Sequence, residues 1–173
     1  MGRAGKAASL RPLTSDEEAF LRAFARALMV VPRALDADLL HEQRLPQSEY
    51  FVLMHLSEAP DRKLRMSELA AAAALSLSGM TRIVSKLESD GLVRRERCVA
   101  DSRGWHAVLT DAGLVRLREA WPTHLASVRR HVFGPLEGVD LADLTAALAR
   151  MGDTSSEEAP PGCTEASPMP RRR

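Results

Sequence analysis

Aromatics, cysteine and net charge are all scarce in this chain, and each shortage removes a class of explanation. Aromatic side chains are 4% of 173 residues against 45% hydrophobic, so a core must be built on Leu, Ala and Val. Ala and Leu lose little side-chain entropy in a helix, which favours an all-α framework. Only two cysteines occur, Cys98 and Cys163, with no CxxC or His/Cys cluster. That speaks against a zinc site or a disulfide framework and points to a reducing cytoplasm. A net charge of +1 gives no bulk argument for nucleic acid, so any such argument must come from local clustering. No run of about 18 apolar residues exists, so no membrane span is expected. The opening MGRAGKAASLRP has no apolar core of a secretory signal. No Gly-rich phosphate loop, nucleophile elbow or metal-ligand spacing is visible, so neither an enzyme nor a cofactor is expected.

What is present is a series of capped, periodic helices. Residues 1–13 read as a flexible basic arm. Thr14-Ser15-Asp16-Glu17 is a capping box. Behind it Leu21, Phe24, Leu28, Val31, Leu35 and Leu39 recur at spacings of three and four, one face of a helix. Pro32 should kink this helix. Pro46 starts a short helix carrying Tyr50, Leu53, Met54 and Leu56, and Leu64–Met66 reads as a brief strand. Ser67 is placed to cap a helix over 68–74, and Ser76 a further one running to Asp90, with Gly91 as its stop. Leu92–Cys98 and Trp105–Leu109 read as the strands of a hairpin. Thr110 can cap a long helix with the stripe Leu114, Leu117, Trp121, Leu125, Val128 and Val132, kinked at Pro122, and a last helix covers Leu141 to Met151. The Pro-, Ser- and Glu-rich 152–173 cannot bury enough apolar surface to order itself.

A helix pair followed by a two-stranded hairpin is a winged helix-turn-helix, in which the second helix of the pair enters the DNA major groove. The helix after Ser76 suits that use. Met80, Ile83, Val84 and Leu87 form its inner face, and Ser78, Thr81, Arg82, Ser85 and Lys86 its outer one. Short hydroxyls approach bases and phosphates closely, and Arg and Lys reach guanine edges or phosphates. Within 61–110, nine cations stand against six carboxylates, a local excess larger than that of the whole chain. A hydroxyl-rich helix face and an Arg-rich hairpin are by themselves ordinary solvated surface and edge protection. It is their order within fifty residues that gives them meaning.

The stretch LRMSELAAAAALSLSGMTRIVSKLESDGLVRRERCVADSRGWHAVLTDAG resembles the core of the MarR family of bacterial transcriptional regulators, of the actinobacterial type. The marks are the run Thr81-Arg82-Ile83-Val84 … Leu87-Glu88 … Gly91-Leu92-Val93 and the later Asp101, Arg103, Val108-Leu109-Thr110 and Gly113. The resemblance extends over roughly 14–151. It implies a mainly α fold with a small β-wing and about six helices. The helices of 14–45 and 111–151 would form a dimerisation domain around a DNA-binding domain at 46–110. It also implies a homodimeric, ligand-responsive repressor on a pseudo-palindromic operator. Helix 76–90 would lie in the major groove and wing 92–109 in the minor groove. Ser76, Ser78, Thr81, Arg82, Ser85, Lys86, Arg95 and Arg97 would then face DNA, Arg103 would enter the minor groove, and Asp101 would hold Arg103 in place. A narrow minor groove concentrates negative potential and attracts an inserted arginine.

A small aromatic or amphipathic effector is expected in a crevice, with His41, Tyr50, His55 and His124 as its candidate lining. Two readings compete: a winged helix used for protein interaction, and redox sensing through Cys98 beside Arg97. Gly79 and Trp105 depart from the family pattern. Gly79 weakens the helix by roughly 1 kcal/mol relative to Ala. Trp105 reads as cross-strand packing or, alternatively, as a contact to a sugar or ligand.

Overall fold

Caps decide where most of the helices begin. In the computed structural model, which describes residues 11–97 and 104–152, α1 spans Ser15–Gln43. Glu17 N donates to Thr14 Oγ1 at 3.2 Å and Thr14 N to Glu17 Oε2 at 2.7 Å. This is the expected reciprocal box. α2 (Gln47–Glu58) has no capping side chain of its own. Asp36 of α1 accepts its Gln47 N–H at 2.7 Å, so the first helix caps the second and fixes the corner between them. Strand β1 (Lys63–Arg65) leads directly into α3 (Met66–Ala72).

Ser67 is not the cap of α3. Ladder pairing of Arg65 with His106 keeps Arg65 extended, and the chain turns helical immediately after it. Glu68 then accepts the Arg65 N–H at 3.0 Å, and Ser67 falls inside the first turn.

Helix α4 (Leu77–Ser89) starts on Ser76, whose hydroxyl accepts from Gly79 N at 3.2 Å. It stops in a Schellman turn. Gly91 has φ +73°, its N–H donates to Glu88 O at 3.0 Å, and Leu92 N donates to Leu87 O at 2.9 Å. Strands β2 (Val93–Arg97) and β3 (Trp105–Leu109) pair antiparallel, and β1 joins the other edge of β3, giving the order β1-β3-β2. Thr110 Oγ1 caps α5 (Asp111–Val128) through Gly113 N at 3.0 Å, and lies within donating reach of the Gly91 and Leu92 carbonyls at 2.8 and 3.0 Å. One hydroxyl thus joins the end of the wing to the end of α4.

The core gathers Leu39 and Leu45 with Tyr50, Leu53 and Leu56 of α2. Leu69 of α3, Met80, Val84 and Leu87 of α4, and Ala107 and Leu109 of β3 complete it. Each buried leucine contributes about 1.5–3 kcal/mol through apolar burial, so α4 is anchored along its whole inner face.

Two expected stripes are corrected. Along α1 only Leu35 and Leu39 are buried, while Leu21 and Leu28 stay exposed. On α5 the buried positions are Gly113, Leu117, Ala120, Thr123 and Ser127, and Trp121 is exposed. The inward face is the small one, because α1 and α5 approach closely enough for direct polar contacts. Gln43 Nε2 donates to Thr123 Oγ1 at 2.9 Å, and Ser127 Oγ to Asp38 Oδ2 at 2.6 Å. Pro32 and Pro122 lie inside α1 and α5 without ending either helix. Irregularity comes later, as a π-turn over Arg129–Phe133.

The unit so described ends at Pro135. The second, from Leu136, contains α6 (Leu141–Gly152). There Asp140 Oδ1 accepts from Ala142 N at 2.8 Å and Asp143 N at 3.1 Å. Six α-helices and a three-stranded antiparallel sheet make up the described residues, a winged helix-turn-helix in form. None of these helices is long and apolar enough to cross a membrane.

Candidate nucleic-acid interface

Met80, Val84 and Leu87 are buried, so α4 cannot rotate, and its other face is fixed outward. Ser76, Ser78, Thr81, Arg82 and Lys86 are exposed there, and Ser85 and Ile83 are half-buried. Three hydroxyls are already engaged locally. Thr81 Oγ1 donates to Leu77 O at 2.8 Å, and the Ser76 and Ser78 oxygens lie 3.1 Å apart.

The cations differ in availability. Lys86 Nζ donates to both Asp90 oxygens, at 2.6 and 2.8 Å, and that contact raises its pKa. Arg95 Nε donates to Glu88 Oε2 at 2.7 Å and its backbone N–H to Oε1 at 3.2 Å, which lowers the Glu88 carboxyl. The guanidinium of Arg97 sits over the Trp105 ring, 5.3 Å from its centroid. Arg82 has no acidic partner among the described residues. On the wing edge, Glu96 accepts from Arg94 and from Lys63 Nζ, the latter at 2.7 Å, and its carboxyl is lowered, chiefly by Lys63. Lys63, Arg94 and Arg95 of the sheet and Lys86 of α4 are thus paired with carboxylates, and Arg82 of α4 and Arg97 of β2 have none among the described residues. Asp101, Arg103 and Cys98 lie outside the described residues.

The candidate effector residues divide. Tyr50 of α2 and His124 of α5 come together, with ring centroids 4.5 Å apart and with Phe51 and Trp121 around His124 at 6.2 and 6.1 Å. Tyr50 Oη and His124 Nδ1 are buried with no hydrogen-bond partner among the described residues. Burial pushes the tyrosine hydroxyl up to about 12 and lowers the histidine. His41 is exposed and His55 half-buried, and neither joins this ring cluster.

A polar clamp between α1 and α5 was not foreseen. Asp38 accepts from the buried Ser127, and His131 Nε2 lies 3.0 Å from the same oxygen, with Arg130 at 3.5 Å. The Ser127 hydrogen bond, above all, lowers the Asp38 carboxyl. A second tie runs from Arg116 to Gln43 Oε1 at 3.2 Å. The only signal in the sequence was the spacing of small residues at 113, 120, 123 and 127.

Comparison with known proteins fits this geometry. A model of the MarR family matches residues 45–104. A MarR family transcriptional regulator of Streptomyces coelicolor, Sco3205, solved in complex with DNA, is 33% identical. The match covers 89% of this chain and 97% of that one, with a TM-score of 0.78. A second from the same organism, AbsC, is 36% identical over 84% of this chain and 97% of its own, with a TM-score of 0.76. The HTH-type transcriptional repressor YetL of Bacillus subtilis is 30% identical over 84 residues, 49% of this chain and 50% of that protein. The transcriptional repressor MprA of Escherichia coli is 31% identical over 84 residues, 49% of this chain and 48% of that one. The chain spans about half the length of these two curated relatives.

Proposed function

The chain belongs to the MarR family of transcriptional regulators, and from that premise we propose that it is a homodimeric, effector-responsive repressor of a pseudo-palindromic operator. Helix α4 enters the major groove. The outward set of Ser76, Ser78, Thr81, Arg82, Ser85 and Lys86 meets base edges and phosphates there. Arg95 and Arg97 support the wing, and Arg103, held by Asp101, enters the minor groove. The observation that carries this reading is Arg82. It is exposed at the middle of α4, flanked by hydroxyls, with no acidic partner among the described residues, on a helix locked into the core. An arginine so placed is suited to bidentate contact with guanine. A protein-interaction face would instead carry apolar or acidic residues. The two repressors it resembles and the DNA-bound Streptomyces neighbour support the same direction.

Fluorescence anisotropy with the gene's own upstream DNA tests the proposal. We expect strongly salt-dependent binding with preference over random duplex. Arg82→Ala should cost about 1–3 kcal/mol, with altered preference at one base position. Equal affinity of the wild type for operator and random duplex would defeat the reading.

The effector reading rests on the Tyr50–His124 cluster, where two buried polar atoms have no partner among the described residues beside tilted, closely spaced rings. A small aromatic or amphipathic molecule with a hydrogen-bonding group would satisfy both. Its binding between α2 and α5 would shift the DNA-reading helices relative to the long ones.

A further inference from the structure

Trp105 is the feature that neither the core nor the expected contact set absorbs. It begins β3, whose last three residues are buried, yet it is itself 43% exposed. The register pairs it with Arg97 across the β2–β3 ladder, and the Arg97 guanidinium covers one face of its ring. Beyond it lies a groove of about 400 Å³, walled by Trp105 and Arg95 of the wing, Leu77 and Thr81 of α4, and Ser67 of α3. No carboxylate lines this groove among the described residues. The indole N–H has no partner among the described residues.

Two walls of the groove are the two elements proposed to read DNA. A helix in the major groove and a wing in the adjacent minor groove stand on opposite sides of one sugar–phosphate strand, because that strand is what separates the grooves. It must pass between α4 and the root of the wing, where this groove lies. The chemistry of the walls fits such an occupant. The Ser67 hydroxyl suits a phosphate. An indole suits the apolar face of a deoxyribose while donating its N–H outward.

We propose that Trp105 is a DNA-backbone contact. Its ring packs on a deoxyribose of the strand that crosses between α4 and the wing, its N–H and the Ser67 hydroxyl face the adjoining phosphate, and Arg97 stacks behind the ring to hold it. This rests on the DNA-binding reading above and adds Trp105 and Ser67 to its contact set. The contact carries no base information, so its loss should weaken all duplexes alike.

The chain has two tryptophans, which makes the test direct. In a W121F background Trp105 is the only tryptophan, and duplex should quench and shift its emission. W105A should weaken operator and random duplex alike, by roughly tenfold, with an unchanged salt slope, since no charge is lost. R97A, which removes the support behind the ring, should weaken operator and random duplex alike, in the same uniform way as W105A. W105F, which keeps a ring, should recover part of the affinity, and circular dichroism of both variants controls for a damaged wing. Benzoate, a free aromatic anion, is the second arm and should leave the emission unchanged. If wild type binds duplex while Trp105 emission and W105A affinity stay unmoved, the inference fails alone. If benzoate moves the emission and duplex does not, the groove is a small-molecule site and the inference is overturned. If the wild type binds no duplex, the DNA-binding reading falls, and this inference with it.

Discussion

At the scale of single residues, the Tyr50–His124 pair sets a pH response whose sign can be worked out. Burial lowers the His124 pKa below its ordinary 6.5, so the unfolded chain takes up this proton first as pH falls. Stability from the neutral ring is present above 6.5 and is lost progressively below it. Thermal melts of wild type should decline as pH drops through that window, and those of His124→Phe should stay flatter. Parallel curves would remove His124 as the cause. The Tyr50 hydroxyl, held near 12, opposes unfolding up to about pH 10, the ordinary tyrosine value, and its stabilisation is lost as pH rises from there through 12. Because its Oη is buried with no partner among the described residues, Tyr50→Phe should stabilise the fold by up to about 1 kcal/mol, measured by urea denaturation. A net loss would mean that an unseen partner satisfies the hydroxyl. Gly113 is constrained differently. A Cβ there would lie 2.1 Å from Leu92 O and 2.7 Å from Leu109 Cδ1. Gly113→Ala should therefore cost about 3 kcal/mol by overpacking, readable in the same titration.

Secondary-structure elements were legible wherever a local rule operates, and less so where long-range packing chooses. The Thr14 box, the Ser76 and Thr110 caps and the Gly91 stop all lie within four residues of what they cap, so sequence alone displays them. Ser67 misled because a cap needs extended backbone, and the strand pairing of Arg65 takes that role first. The α5 stripe misled because periodicity finds apolar residues without saying what they face. In this fold the small side chains meet α1, and Trp121 does not. The candidate DNA face was legible as a surface, but the pairing of Lys86 with Asp90 and of Arg95 with Glu88 was not, since it depends on where β2 lies against α4. Ser76 allows cap and contact to be separated. Ser76→Ala should destabilise by about 1 kcal/mol and weaken operator binding. Ser76→Asp keeps the cap and places a negative charge in the first turn, so it should melt like wild type yet bind the operator less tightly than Ser76→Thr. Equal affinity of the Asp and Thr variants would place Ser76 away from the phosphates.

On the scale of the whole molecule, α1 carries a question that its own chain does not answer. Its 29 residues extend about 43 Å at 1.5 Å per residue, and only Leu35 and Leu39 are buried. Phe20 and Phe24 stack on each other at 5.7 Å, and Phe20, Leu21, Leu28, Met29 and Val30 remain exposed, Leu28 by 61%. An apolar surface this long on a lone chain invites association, and isolated helix without packing is marginal in water. The second unit has its own exposed apolar residues, Leu141, Leu148 and Met151 on α6. The proposed homodimer gives the α1 surface an occupant and explains why the stripe reads as core in sequence while lying exposed in one protomer. Leu28→Glu tests this without touching α4 or the wing. We expect sedimentation velocity to show a monomer at micromolar concentration where wild type is a dimer, with the Met80–Val84–Leu87 core still folded by amide exchange. Operator affinity should fall by far more than any single contact could explain, because two half-sites joined in one molecule bind with an effective concentration that separate monomers lack. A variant that stays dimeric would place the interface elsewhere. A monomer that keeps full operator affinity would show that one winged helix suffices, and would defeat the palindromic operator at the same time.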